Sequence, residues 1–184
     1  ALARRHTFKV LTKRAGRLAD VVASLVKEVR LAAVTGHGSA RWDAARKWLR
    51  DTLLRAGWRE NEKLAEYVGV IMAHQPFPIP NVWFGVTVEN QECADERIPL
   101  LLKTPAAVRF VSAEPLLGPL SLTEVQVERI AEVDCLNGKT GVYRPLLGDC
   151  ANIDWVIAGG ESGKNARPMH PTWARELRDQ CVAA

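Results

Sequence analysis

The chain has 184 residues, of which 47% are apolar and 25% charged, and a formal charge of +4. A chain of this size can bury about 70% of its unfolded surface in one core, and so mild a charge permits a nucleic-acid partner without arguing for one. No apolar run approaches the roughly 20 residues of a membrane span, nothing has the form of a signal peptide, and Cys93, Cys135, Cys150 and Cys181 lack Cys-x-x-Cys spacing, which disfavours a membrane partner, a zinc site and a disulfide framework.

The cysteines read as reduced thiols of a cytoplasmic protein. Thr7 to Thr12 alternates and predicts a strand that breaks into Lys13-Arg14. Leu18, Val21, Val22, Leu25, Val26 and Val29 follow at helical spacing and leave Asp20, Lys27, Glu28 and Arg30 outside the apolar stripe. Thr35 to Ser39 is a loop. Two further helices are expected, one marked by Trp42, Ala45, Leu49, Leu53 and Ala56, the other by Leu64, Tyr67, Val68, Ile71 and Met72. They are either an insertion or lid, or a longer crossover packed on the outside. Gln75 to Pro80 is a proline-stiffened, extended connector.

Asn81 to Val88 predicts a second strand, ending in Glu89-Asn90. Asp95 to Lys103 reads as a short helix, which Pro99 should kink or delay. Val108 to Ser112 predicts a third strand, ending in Ala113-Glu114-Pro115. Residues 118–152 carry no clean period. They read as an irregular excursion with two short strands and a hairpin signal at Asn137-Gly138. Ile153 to Ala158 is apolar and suits a buried fourth strand, which opens into Gly159-Gly160-Glu161-Ser162-Gly163. Glycines at such a place let backbone approach a ligand closely, or merely make a tight turn. Trp173, Leu177 and Cys181 space a final helix, with Pro171 in its first turn.

Strands alternating with helices predict an α/β fold with a parallel sheet. Ligand sites of such folds lie beyond the carboxyl ends of the strands. All four strands end in chemistry there, which makes Lys13, Arg14, Glu89, Asn90, Ser112, Glu114, Gly159, Gly160, Glu161 and Ser162 the candidates for binding a cofactor or substrate. Neither a dinucleotide fingerprint, a phosphate loop nor a nucleophile elbow is present. No metal ligand set and no catalytic residue can be assigned. His37, His74 and His170 fall in different loops and read as structural.

Several runs together resemble one family. They are His-Thr-Phe-Lys-Val-Leu-Thr-Lys-Arg ending at Arg14, Asn81 to Asn90, Asp95 to Pro99, Arg109 to Gly118, and Asp154 to Met169. The chain resembles a phage- and prophage-associated family of uncharacterised function that is similar to radical S-adenosylmethionine enzymes. The resemblance covers roughly residues 1–30, 81–118 and 153–184. It implies a single partial (β/α) barrel over 1–184, of TIM type, with a helical insertion at about 31–75 and an excursion at about 119–152. For the full-length family it implies S-adenosylmethionine and a [4Fe–4S] cluster held by three closely spaced cysteines near the N-terminus. This chain has no such cysteine run, so it reads as a fragment that holds no cofactor of its own, builds no cluster and is inactive alone. By the resemblance, Glu89 and Asn90 stand where such folds bind the cofactor's ribose. The residues equally suit a solvated strand end, with Asn90 as a helix cap. The glycine-glycine-glutamate motif of those enzymes follows their second strand, whereas Gly159-Gly160-Glu161 follows the last strand here, so its role does not carry over. Lys13-Arg14 suits either an anionic group or a solvated helix entry. Pro115 biases Glu114 toward an extended conformation. Glu161 is expected to hold a cationic or hydroxyl group and to pair with Lys13 or Arg14 when empty. Two function classes remain: an enzyme core acting on an unknown substrate, or a non-catalytic module for a small anion or nucleic acid. A small molecule at the barrel mouth is the expected partner.

Overall fold

Four short apolar runs, each too short for a helix and each followed by polar residues, assemble into one parallel sheet. The computed structural model describes residues 6–35, 47, 51, 78–128, 131–140 and 151–184. The elements in chain order are β1 (Phe8–Thr12), α1 (Ala15–Thr35), β2 (Val82–Thr87), α2 (Gln91–Lys103), β3 (Val108–Ala113), β4 (Val125–Val127), β5 (Ala131–Asp134), β6 (Lys139–Thr140), β7 (Trp155–Ala158) and α3 (Pro171–Ala183). The chain divides into two compact units, residues 1–19 with 80–184, and residues 20–79. In the second unit the described part is chiefly the continuation of α1, with Val22 and Leu25 buried on the expected stripe and Lys27 exposed. The helix expected from Trp42 onward is described at Lys47 and Asp51 alone, both helical, and the helix expected from Leu64 onward, together with His37, His74, Cys150 and the start of the proline connector, lies outside the described residues.

The main sheet runs β1-β2-β3-β7, every pair parallel and in sequence order. The expected α/β class and parallel sheet are therefore present. Residues two apart share a face of a strand. One face carries Val86, Val88, Val111 and Ala113, which form a core with Ala94, Ile98, Leu101 and Leu102 of α2. Ile98 and Leu101 are fully buried, each worth about 1.5–3 kcal/mol of apolar transfer. The other face carries Lys9, Trp83, Gly85, Phe110 and Trp155. Trp155 meets Trp83 edge-on at 6.0 Å and Phe110 at 5.8 Å, and the Lys9 ammonium lies 4.1 Å from the Trp155 ring centre. Gly85 is required here, because a Cβ would come within 2.5 Å of the Phe110 ring.

Three expectations change. Helix α2 starts at Gln91 rather than Asp95, because Asn90 Oδ1 accepts from Cys93 N at 3.0 Å and caps it. Pro99 does not delay it; the proline lies within the helix and is buried. Among the described residues the excursion holds three strands, where two were expected. Val125, Val127 and Val133 are buried in the core shared with α2, and β4-β5-β6 form an antiparallel sheet. Its last hairpin turns at Gly138, φ 62°, as the Asn-Gly signal required. In α3, Leu177 is buried and Trp173 packs on the core, but Cys181 is exposed. The inner stripe instead runs to Gln180, which caps the excursion by accepting from Leu122 N and donating to Leu120 O.

Candidate functional site at the strand ends

Because the sheet is parallel, the segments leaving β1, β2, β3 and β7 all leave from the same end, and Lys13, Glu89, Glu114 and Glu161 lie there together. Backbone hydrogen bonds lace this end. Val88 N donates to Ser112 O at 2.9 Å and Gly159 N to Ala113 O at 3.1 Å. The segment after β3 then bridges its neighbours, with Leu116 N donating to Gly159 O at 2.9 Å and Leu117 N to Glu89 O at 2.8 Å.

At the β2–α2 junction, Glu89 is gripped by two cations. Lys13 Nζ lies 2.5 Å from Oε1 and Arg97 2.8 Å from Oε2. Arg97 also donates to Thr87 O at 2.7 Å, which ties the helix to the strand. Glu89 and Arg97 are only 12% and 14% exposed, whereas Lys13 is 62% exposed. Burial pushes the Glu89 carboxyl upward, but Lys13, the Cys93 thiol and Arg97 hold it down at about 2. Burial, and then the Glu89 carboxylate, push the Cys93 thiol up. Arg97 Nε also lies 3.9 Å from the exposed Glu96 carboxylate, so two cations meet two carboxylates and the cluster carries no net charge.

At the end of β3, Ser112 is buried and its hydroxyl donates to Glu114 Oε2 at 3.3 Å. Glu114 is exposed. Its carboxylate fills the space that a Cβ on Gly159 would need, so any side chain there would make the end of Glu114 swing aside. Gly160 is less constrained, since an added Cβ would meet Met169 at an ordinary 3.6 Å.

After β7, Glu161 does not pair with Lys13 or Arg14. It is clamped by Arg167, whose Nε and second guanidinium nitrogen donate to its two oxygens at 2.7 and 2.8 Å, with the Arg167 backbone N–H adding a third bond at 2.8 Å. The Arg167 side chain, and then its N–H, hold Glu161 down at about 2. Lys13 is instead committed to Glu89 because β1 adjoins β2 and lies far from β7 in the strand order. Ser162 is exposed. Arg14 opens α1: its backbone N donates to Thr12 Oγ1 and its carbonyl accepts from Leu18 N. Asn90 spends its side-chain oxygen on the α2 cap. His170 caps α3 through Thr172 N at 3.3 Å.

The sheet thus gathers Lys13, Glu89, Ser112, Glu114 and Gly159, while Glu161 closes its own loop. Sequence reading missed Arg97, Cys93, Thr87 and Arg167. A helix begun at Gln91 would have put Cys93 and Arg97 on one face, four apart. Thr87 shares the Glu89 face by the period of two.

A parallel sheet with charged and hydroxyl groups at its carboxyl end defines an α/β protein. The chain belongs to the family described as protein of unknown function DUF5131, whose model matches residues 1–184. No curated protein and no solved structure matches the chain. Among the described residues, no helix is long and apolar enough to cross a membrane.

Proposed function

We propose that this chain is the core of a radical S-adenosylmethionine-like protein of phage type, a partial (β/α) barrel whose strand ends hold a small polar ligand. The observation that carries this reading is the strand order β1-β2-β3-β7, parallel and sequential. Consecutive β/α units of a barrel follow one another in that way, and barrels bind ligands at this end. Ser112 and Glu114 offer acceptors there.

The cluster implied by the family resemblance does not fit the described residues. No three His, Cys, Asp or Glu side chains among them are grouped to hold a metal. Cys93 sits beside Glu89, Cys135 is buried, and Cys181 is exposed on α3. Burial, then Asp134 and Asp95, push the Cys135 thiol up to about 12, far from a ready thiolate. The reading is accordingly one of ligand binding, with no reaction step through iron. Calorimetric titration with S-adenosylmethionine tests it: saturable one-to-one binding is expected, and no heat up to millimolar ligand removes the reading.

A second reading, a module that binds a small anion or nucleic acid without chemistry, draws on the exposed Lys13 ammonium at the end of β1. It expects inorganic phosphate to bind and Lys13→Met to abolish that binding. Phosphate binding unchanged by the substitution would remove it.

A further inference from the structure

Three carboxylates stand at the strand ends, and only one is open to a ligand. Glu89 is held by Lys13 and Arg97, and Glu161 by Arg167. Glu114 makes no ion pair among the described residues, and its one hydrogen bond is accepted from Ser112. Its carboxylate rests against the Gly159 backbone, where no side chain competes for the space. Thr87 is the register partner of Ser112 and projects from the same face of the sheet. It is 6% exposed, and its hydroxyl has no hydrogen-bond partner among the described residues. The oxygen is not sealed off, since the buried side-chain atom left without a partner among the described residues is Arg97 Nε, so the Thr87 hydroxyl stays within reach of a ligand.

We infer that Glu114, Ser112 and Thr87 form a subsite for the ammonium group of a ligand. The inference rests on the strand-end ligand site proposed above and names the group recognised there. A primary ammonium brings three N–H donors and no acceptor. The subsite presents one carboxylate and two hydroxyl oxygens, three acceptors in all. A ligand hydroxyl would bring one donor and leave the Glu114 charge unbalanced, and a ligand carboxylate would be repelled by it. The nearby cations do not compete, because both are committed to Glu89.

The test compares S-adenosylhomocysteine, which carries the ammonium, with 5′-methylthioadenosine, which does not. Each is titrated calorimetrically into the wild-type chain, Glu114→Gln and Thr87→Val, with melting curves to confirm folding. Glu114→Gln should weaken S-adenosylhomocysteine about tenfold or more, the scale of a charge-assisted hydrogen bond, and leave 5′-methylthioadenosine unchanged. Thr87→Val should produce a smaller loss of the same selectivity and serves alone if Glu114→Gln does not fold. Wild-type binding of both probes with no selective loss in either variant overturns the subsite and leaves the strand-end reading standing. Tighter S-adenosylhomocysteine binding by Glu114→Gln overturns it too, since it would put the ligand carboxylate there. If the wild-type chain binds neither probe, subsite and strand-end reading fall together.

Discussion

The β2–α2 junction and the β7–α3 loop begin alike, with a carboxylate just past a strand, and both carboxyls are held at about 2. Their physics differs. Glu89 is nearly buried, and its partners come from β1's end and from α2, so the contact joins three elements. Glu161 is answered from six residues away, across its own loop, by an Arg167 that is 61% exposed. The first arrangement holds the strand ends together; the second shapes one loop. A depressed carboxyl therefore marks a partner, and the partner's place in the fold decides what the contact does.

The sharpest way to break this comparison is to remove the buried cation. Arg97→Met strips Glu89 of one partner and Thr87 O of its donor, and should cost about 3–5 kcal/mol in urea unfolding. Arg167→Met should cost far less. Glu89→Gln should cost about 2–3 kcal/mol at neutral pH, a little under the full shift from 4.5 to about 2 because Lys13 is largely solvated. Its sign follows from the lowered carboxyl: the contribution is complete above pH 4.5 and vanishes as pH falls toward about 2. Wild-type and Glu89→Gln stabilities should therefore converge in acid. Gly85→Ala drives a Cβ into the Phe110 ring and should cost about 2 kcal/mol, since a packed ring yields poorly. Gly159→Ala meets only the end of Glu114, which can swing, and should cost about 1 kcal/mol. The smallest effect expected is a slight fall in melting temperature for Glu161→Gln, with faster tryptic cutting at Lys164 inside the loosened loop.

The four strands were legible because each is a short apolar run that stops at a polar group, although only β2 and β3 carry buried residues; β1 is largely exposed and β7, expected to be buried, is exposed at Trp155 and Ala158. Their common end followed from alternation with helices. The sequence offered Asn90 as a helix cap, and that cap, acting over three residues, starts α2 four residues before the Asp95 expected from the apolar spacing. The small sheet hid because β4 and β5 are three and four residues long, too few to show a period. The Glu161–Arg167 clamp has a six-residue spacing that fits neither helix nor strand. Nothing local in the sequence separates Glu114 from Glu89 or Glu161. Only the sheet order shows that Lys13 reaches Glu89 and that Glu114 keeps no cation among the described residues.

That distinction is tested most directly by titrating S-adenosylhomocysteine into Glu114→Gln and Glu161→Gln side by side with the wild-type chain. The account predicts that Glu114→Gln binds about tenfold or more weakly and that Glu161→Gln binds as the wild type does. Weakened binding by Glu161→Gln with Glu114→Gln unaffected would contradict it and return the ligand to the glycine-rich loop.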